Sequence, residues 1–286
     1  MLEIIKVIIL AIFSGTLLPL PVSASAHFAL LNDLLSFSTD ENVITVYTSI
    51  FALAFSVALI FNLRKIYFNL FKSLFVFNKE KLEKKKLTSY KSSFLNLLLS
   101  FIPLAIVFAP VSEDKLLIDY FSSFNLSTNL ILVGIASVFL GFIMIISSWY
   151  SKYSNSKIHR ISKMGDIIRM SIYQVPSYII PGLSQVASGV SKLIIRDVNS
   201  KTVMREVYTY LAPQMLVISI IQLVRMSYTD VSILPITAVI GAIIAFVVSE
   251  IVIALISKFN IKKLFSFFAV YSIILGVYII AVSVTL

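Results

Sequence analysis

Residues 14 to 27 read SGTLLPLPVSASAH, a stretch in which an apolar helix is interrupted by Pro19 and Pro21 and followed by serines and an imidazole. Proline lacks the backbone N–H group that an α-helix needs to continue. Non-helical backbone with polar side chains is tolerated at membrane depth only where protein or water satisfies its hydrogen bonds. A second break of the same kind, residues 173–185, lies near the middle of the chain. Two such breaks predict an internal repeat with a binding site where they meet.

Composition places the chain among membrane proteins. Hydrophobic residues make up 58% and charged residues 13%. The apolar residues fall in blocks of about twenty, which matches a hydrocarbon core of roughly 30 Å. The sequence therefore predicts an all-α polytopic membrane protein with a single membrane domain over residues 1–286.

The numbers of cysteines and histidines and the net charge limit the kinds of site and partner that are expected. The absence of cysteine excludes disulfides, thiolate nucleophiles and cysteine metal sites, and two histidines leave little for a zinc centre. The net charge of +10 comes from basic residues that lie in loops between apolar blocks. The expected partner of these residues is the cytoplasmic leaflet of the membrane, and nucleic acid is not expected.

The first apolar unit, residues 1–36, has a competing interpretation as a signal peptide. A short apolar run followed by the small residues 22–24 resembles a signal-peptide cleavage site. Against this, Glu3 offsets the charge of Lys6 in the region that a signal peptide keeps positive. The repeat architecture described next also favours a permanent membrane unit.

Charge in the loops assigns the topology. Uninterrupted spans are predicted at residues 43–63, 92–111, 128–149, 206–226, 232–256 and 264–286, with a kink at Pro103. The loops at 64–91 and 150–165 are rich in lysine and arginine, which predicts that both are cytoplasmic. In residues 113–119 three acidic residues outnumber one lysine, as expected of an external loop.

The two halves of the chain are predicted to be inverted copies. Residues 166–198 have basic residues at both ends, which predicts that this unit enters and leaves on the same side. Each half, about 1–149 and about 165–286, is one broken unit followed by three spans, and the halves start on opposite sides. The expected architecture is about six transmembrane helices plus two re-entrant helical hairpins in an inverted-topology repeat.

These motifs resemble a known family. Gly15, the run Leu-Pro-Val-Ser at 20–23 and His27 resemble the first motif of the undecaprenyl-diphosphate phosphatases, the bacitracin-resistance proteins. That motif reads roughly Glu-Gly-x-x-Glu-Phe-Leu-Pro-Val-Ser-Ser-Thr-Gly-His. Residues 181–184, Pro-Gly-Leu-Ser, resemble the second motif, Pro-Gly-x-Ser-Arg-Ser, and residues 210–213 stand where the family has an apolar stretch ending in proline. The chain is identified as a divergent member of this family.

The resemblance implies a site and a reaction. Members remove the terminal phosphate of a polyprenyl diphosphate at the outer membrane face and so recycle the lipid carrier of cell-wall sugars. The family chemistry uses the motif glutamates, a serine, the histidine, the motif arginine and a divalent cation, Mg²⁺ or Ca²⁺. The residues carried over are the catalytic candidates His27, Ser23 and Ser25. The phosphate-binding candidates are Gly182, Ser184, Gln185 and Ser188.

Several family positions have changed. The two glutamate positions are Ser14 and Leu18, the second of the paired serines is Ala24, and the arginine position is Gln185. Phosphoryl transfer relies on a metal or arginine to stabilise the charge that develops on the phosphoryl oxygens, and these changes remove both. The usual carboxylate ligands are missing, so no residue is assigned to a metal. The replacement cations that the sequence offers are Arg169, Lys192 and Arg205.

Some polar residues keep two interpretations. His27, beside Ser23 and Ser25, is either a site residue or a structural one. In the site it acts as a general acid or base or contacts phosphate, and otherwise it is a capping or packing histidine. The serines either bind phosphate or satisfy backbone carbonyls. Glu250 is either an intramembrane proton or cation site or a residue paired with lysine near the cytoplasmic interface. Arg225, near the external end of its span, is expected to snorkel.

Two function classes follow from the resemblance. The first is a polyprenyl-diphosphate phosphatase whose site has drifted, and the second is a non-hydrolytic transporter or flippase of polyprenyl phosphate. A small-solute transporter would explain the repeat but not the motifs. The expected partners are a polyprenyl diphosphate or phosphate lipid, the bilayer and a second copy of the chain in a homodimer. The expected location is the plasma membrane, with the site opening to the outer face.

Overall fold

The computed structural model describes residues 2–75, 92–112, 115–118, 130–153, 164–199, 202–228 and 235–285. Within these residues, five helices are long and apolar enough to cross a membrane: Glu41–Asn62, Leu130–Tyr150, Val203–Met226, Ile236–Ile256 and Leu264–Val284. This confirms the prediction of an all-α polytopic membrane protein.

The α-helices of the described residues are numbered in chain order. They are α1 (Leu2–Leu17), α2 (Ala24–Leu34), α3 (Glu41–Asn62), α4 (Arg64–Phe75), α5 (residues 92–99), α6 (Leu130–Tyr153), α7 (Met164–Ile179), α8 (Gln185–Ile195), α9 (Val203–Met226), α10 (Pro235–Ile256) and α11 (Ile261–Thr285). Five of the six predicted spans therefore coincide with one helix each, because an apolar block of twenty residues satisfies its backbone best as a helix in lipid.

The predicted span at residues 92–111 is broken instead of kinked. Helix α5 ends at residue 99, and a 3₁₀ helix, Pro103–Phe108, follows it after a turn. Pro103 at the start of the 3₁₀ helix has no N–H group to extend the α-helical ladder. Two short antiparallel strands, β1 (Pro110–Ser112) and β2 (Lys115–Leu116), come next and were not predicted.

The basic loop predicted at residues 64–91 begins as helix α4. Tyr67 and Leu70 of this helix are buried, whereas Phe68 and Phe71 are exposed. The remainder of this loop, residues 76–91, lies outside the described residues, as do residues 113–114, 119–129 and 154–163.

Two helical hairpins have matching local geometry. Helices α1 and α7 have 16 residues each, and helices α2 and α8 have 11 each. Ser23 caps α2 and Ser184 caps α8. At the same separation along the chain, Ser36 and Asp197 follow these helices with positive φ angles of 45° and 57°. The halves thus share a geometric repeat with few shared residues, and their inverted orientation in the bilayer stays a prediction.

The long helices pack against one another and against the hairpins. Helix α3 packs against α9 and α10, α6 packs against α11, and α1 packs against α10. Small residues permit the closest of these approaches, as is usual between helices in membranes. A Cβ atom on Gly276 of α11 would lie 2.5 Å from the carbonyl oxygen of Gly134 on α6. Helices α8 and α2 also contact α6, so one helix of each hairpin packs against the same long helix.

Candidate functional site

The break in the first hairpin is organised by Ser23. Helix α1 ends at Leu17, and the Ser23 side chain accepts a hydrogen bond from the Ala26 N–H group at 3.1 Å, which satisfies one of the free donors at the start of α2. The Ser23 hydroxyl also lies 3.1 Å from the Ser25 hydroxyl. The serine that sequence reasoning took as a catalytic candidate therefore serves as a helix cap.

His27 uses both of its ring nitrogens within the protein. Nδ1 donates to the Ser23 carbonyl oxygen at 2.6 Å, because a carbonyl oxygen only accepts. In the neutral ring Nε2 then accepts from the Tyr271 hydroxyl, also at 2.6 Å. The two rings are stacked, with an interplanar angle of 10° and centroids 5.6 Å apart. The Ser23 carbonyl oxygen therefore fixes the tautomer of His27, and Tyr271 of α11 helps to fix the orientation of its ring.

The second hairpin is built in the same way. Ser184 accepts from the Ala187 N–H group at 3.2 Å and caps α8. Gly182, with φ of +100°, makes the turn that leads into this cap. The amide nitrogen of Gln185 donates back to the Ser177 carbonyl oxygen at 2.7 Å. Its side chain thus ties the end of α7 to the start of α8.

The two breaks meet in space. The N–H group of Gly182 donates to the Ser25 hydroxyl oxygen at 2.9 Å. The carbonyl oxygen of Gly182 accepts from the Ser137 hydroxyl on α6 at 3.2 Å. One hydrogen-bonded chain therefore connects His27, Ser23, Ser25 and Gly182, and it joins the two motifs that the sequence singled out.

A cavity of about 260 Å³ lies between the hairpins and helices α3 and α9. The motif positions that line it are Ser14, Leu18, Ala24, Ser25, Pro181 and Gln185. In the motif resemblance, Ser14 and Leu18 stand at the glutamate positions and Gln185 at the arginine position. The described lining does not include His27, Ser23, Gly182, Ser184 or Ser188.

Helices α3 and α9 supply lining residues that sequence reasoning did not single out. Their polar members are Glu41, Thr45, Thr48, Ser49, Ser219 and Gln222. On α3 they recur at spacings of three and four residues, which places them on one helix face. This periodic polar face in a mainly apolar span was the signal available in the sequence. The cavity is therefore lined by two long helices as well as by the motifs.

The replacement cations that the sequence offered lie elsewhere. Arg169 is about half exposed, with its guanidinium 3.9 Å from the Asp166 carboxylate. The Lys192 ammonium stands 4.0 Å from the centre of the Tyr173 ring. Arg205 is exposed on the first turns of α9. None of the three belongs to the described cavity lining.

An ion pair joins the start of α7 to the end of α8 in the second hairpin. The Arg196 side chain donates to the Asp166 carboxylate at 2.7 Å. This hydrogen bond and the negative charge of Asp166 raise the pKa of Arg196. Because Asp166 starts α7 and Arg196 follows α8, the pair holds the two ends of the hairpin together.

Glu250 lies outside the cavity lining, near the junction of α3 and α4. Its carboxylate is hydrogen-bonded to Asn62, and Arg64 is the nearby positive charge. Its Oε1 atom is buried and has no hydrogen-bond partner among the described residues. The positive charge near Glu250 is thus an arginine of α4, where the sequence suggested a paired lysine.

The described residues do not form a site that fits a divalent cation. They contain no group of three or more His, Cys, Asp and Glu side chains able to hold a metal ion. Hard cations such as Mg²⁺ and Ca²⁺ prefer carboxylate oxygens, and Glu41 is the one carboxylate in the described lining. No step of a reaction is therefore assigned to a metal.

Comparison with known proteins agrees with the motif resemblance. The undecaprenyl-diphosphatase of Clostridium tetani is 27% identical over 289 residues, which cover 99% of this chain and 98% of that protein. The undecaprenyl-diphosphatase of Lachnoclostridium phytofermentans is 26% identical over 280 residues, with coverages of 96% and 95%. Residues 7–278 match the family described as Bacitracin resistance protein BacA. Because this match covers nearly the whole chain, the protein belongs to the bacitracin resistance protein BacA family.

Proposed function

We propose that this protein acts on a polyprenyl diphosphate lipid carrier in the plasma membrane and binds it in the cavity between the two hairpins. One observation carries the proposal: motif positions from two distant breaks, including Ser14, Leu18 and Gln185, line a single cavity. The names of the relatives, which are undecaprenyl-diphosphatases, support the class of substrate. The proposed reaction is removal of the terminal phosphate.

The cavity has the two kinds of surface that such a lipid requires. Hydroxyl and amide groups of Thr45, Ser49 and Gln222 are donors for phosphate oxygens. Apolar side chains, including Phe28 and Phe51, give the isoprenoid chain a hydrocarbon surface. A polar group that enters this cavity is stabilised only if it is hydrogen-bonded there.

A second function, translocation of polyprenyl phosphate without hydrolysis, is favoured by a specific observation. The described lining carries no lysine, arginine or histidine, and His27 has both ring nitrogens engaged by Ser23 and Tyr271. Cleavage of the phosphoanhydride bond by water needs stabilisation of negative charge on the phosphoryl oxygens. Binding and movement of the intact lipid make a smaller demand on the site.

Phosphate release and lipid binding, measured on the same purified protein, test both functions. Ser49→Ala removes a hydroxyl from the lining, whereas Ser56→Ala removes one from the same helix outside the described lining. We expect Ser49→Ala to weaken binding of the lipid, and Ser56→Ala to bind like the wild type.

Release of phosphate that is lost in His27→Ala supports the phosphatase. Binding without release, with or without Mg²⁺ or Ca²⁺, supports the translocator. Absence of binding by the wild type contradicts both functions.

The proposed orientation places the loops at 64–91 and 150–165 in the cytoplasm and the cavity mouth at the outer face. The chain has no native cysteine, so single cysteines report sidedness directly. Asp40→Cys and Ser200→Cys are expected to react with a membrane-impermeant maleimide from opposite sides. Labelling of both from one side contradicts the inverted repeat.

A further inference from the structure

Glu41 is the one charged side chain in the described lining of the cavity. The same lining carries no lysine, arginine or histidine. Glu41 is half-buried, and the ion pairs found among the described residues join Asp166 to Arg169 and Arg196 instead. A carboxylate therefore borders the cavity without a cation beside it in the described lining.

Glu41 begins the polar face of α3 that lines the cavity. Thr45 and Ser49 follow it at intervals of four residues, which is the spacing of side chains that lie above one another on a helix. The cap of this helix is Asp40, whose carboxylate accepts from the N–H group of Asn42 at 2.8 Å. Glu41 is thus not the capping residue, and it occupies the first turn, where the helix dipole favours a negative charge.

The hydrogen-bond donors of the lining are partly committed within the protein. The Thr48 hydroxyl donates to the Ile44 carbonyl oxygen at 2.9 Å, and the Gln185 amide nitrogen donates to the Ser177 carbonyl oxygen at 2.7 Å. A phosphate group taken out of water without a cationic partner carries a large desolvation cost. A phosphate that enters this cavity therefore meets a reduced set of donors and one negative charge.

The size of the cavity bounds the repulsion between Glu41 and such an anion. The lining on α3 extends from Glu41 to Ala52. At the helical rise per residue, this is a length of roughly 16 Å. Two unit charges about 8–16 Å apart, at an effective dielectric constant of about 20, repel by an amount that weakens binding about 5- to 30-fold. An ionised Glu41 therefore selects against anions by a measurable factor.

Other groups that carry or change charge near neutral pH lie on the elements around Glu41. Those of α1, α2, the start of α3 and the end of α9 lie outside the described lining, and they are Glu3, Lys6, His27, Asp33, Asp40 and Arg225. Further charged residues of α7 to α10 also lie outside it, and they are Asp166, Arg169, Lys192, Arg205, Glu206 and Glu250. Lys6 donates to the Ser36 carbonyl oxygen and Arg225 to the Gln222 side chain. Glu41 is therefore the charged group that a ligand in the described cavity contacts directly.

We propose that Glu41 couples the binding of an anionic prenyl lipid to the uptake of one proton. The ionised carboxylate opposes the anion, whereas the protonated carboxyl group admits it and donates a hydrogen bond to it. This inference rests on the proposed function for the prenyl lipid. Coupling between two ligands is reciprocal, so a proton on Glu41 strengthens binding of the anion by the factor by which the anion strengthens binding of the proton. Affinity for the anion therefore rises as the pH falls, because a lower pH supplies the protonated form.

Two probes separate the charge of the ligand from its hydrocarbon chain: farnesyl methyl phosphate and farnesol. A phosphate diester has no second proton to lose, so its single negative charge stays constant between about pH 5 and pH 8. Glu41→Gln removes the charge and keeps the shape, and Glu41→Thr is a second variant if the first does not fold. Glu3→Gln is the matched control, because it removes the same charge from an exposed residue outside the described lining. Divalent cations are omitted.

At neutral pH we expect Glu41→Gln to bind farnesyl methyl phosphate about 5- to 30-fold more tightly than the wild type. The wild type should gain affinity as the pH is lowered, whereas Glu41→Gln should not. Calorimetry in two buffers of different ionisation enthalpy should show proton uptake on binding by the wild type and none by the variant. Glu3→Gln should match the wild type. Farnesol should bind equally to all the proteins at each pH, which also shows that the variants are folded.

The outcomes separate this inference from the proposed function. Equal affinity of Glu41→Gln and the wild type, or proton uptake that persists in Glu41→Gln, overturns the role of Glu41 and leaves the lipid function standing. Weaker binding by Glu41→Gln also overturns it, because the carboxylate would then attract the ligand. Tighter binding by Glu41→Gln without any pH dependence in the wild type overturns the coupling to a proton. Absence of binding of both probes by the wild type contradicts the proposed function itself.

Discussion

The contact between His27 and Tyr271 joins the first hairpin to the last helix of the chain, and its removal gives a quantitative prediction. Tyr271→Phe deletes the hydroxyl that lies 2.6 Å from His27 Nε2 and retains the ring that stacks at 5.6 Å. His27 is 7% exposed, so its ring nitrogen would lose its partner in a buried position. An unsatisfied buried acceptor costs about 1–3 kcal/mol.

The exposure of Tyr271 sets the magnitude within that range. This side chain is 37% exposed, so water reaches part of its surface and is able to replace some of the lost bond. We therefore expect a loss of about 1–2 kcal/mol in the free energy of unfolding. For a chain of this size the corresponding fall in Tm is roughly 2–8 °C.

The assay is the Tm of the detergent-purified protein, read from the fraction that stays monodisperse after heating. Tyr278→Phe is the control, because Tyr278 lies on the same helix and is exposed. A double-mutant cycle with His27→Ala isolates the pair, since Tyr271→Phe should cost much less once the imidazole is absent. Equal Tm values for the two tyrosine variants, or full additivity in the cycle, would refute the reasoning.

Two further predictions concern the contact between the hairpins, and a third concerns the cavity lining. Gly182→Ala should lower the free energy of unfolding by about 1–3 kcal/mol, because φ of +100° is strained for any other residue; thermal denaturation should show no comparable loss for Gly165→Ala, whose nearest neighbour is a flexible side chain. Ser25→Ala removes the acceptor of the Gly182 N–H group and should cost about 1 kcal/mol, measured in the same way. Restoring the family residues with Leu18→Glu and Gln185→Arg should make phosphate release from a polyprenyl diphosphate increase with added Mg²⁺; unchanged release would show that these lining positions do not control hydrolysis.

The altered motif positions are chemically consistent with one another. In the motif resemblance, Ser14 and Leu18 stand at the two glutamate positions and Gln185 stands at the arginine position. All three line the cavity, so both signs of charge are absent from the motif positions of the described lining, where Glu41 of α3 is the one carboxylate.

Parts of the candidate site could be read from the sequence. Proline and serine at the two breaks indicated where helices stop, and the structure places Ser23 and Ser184 there as caps. The sequence also indicated that the breaks belong together, and Ser25 and Gly182 are in contact. It did not indicate that His27 turns towards Tyr271, because these residues are 244 positions apart and no local pattern links them.

The sequence by itself determined the class of this protein, most of its spans and the positions of both breaks. These features depend on local physics: the length of an apolar block, the missing N–H group of proline and the charge of flanking loops. Only the tertiary structure decided which polar groups share the cavity. The joint lining from α3 and α9 and the orientation of His27 towards Tyr271 depend on how separate helices pack. Helical periodicity states which residues share a face, but the partner of that face is selected by packing across the whole bundle.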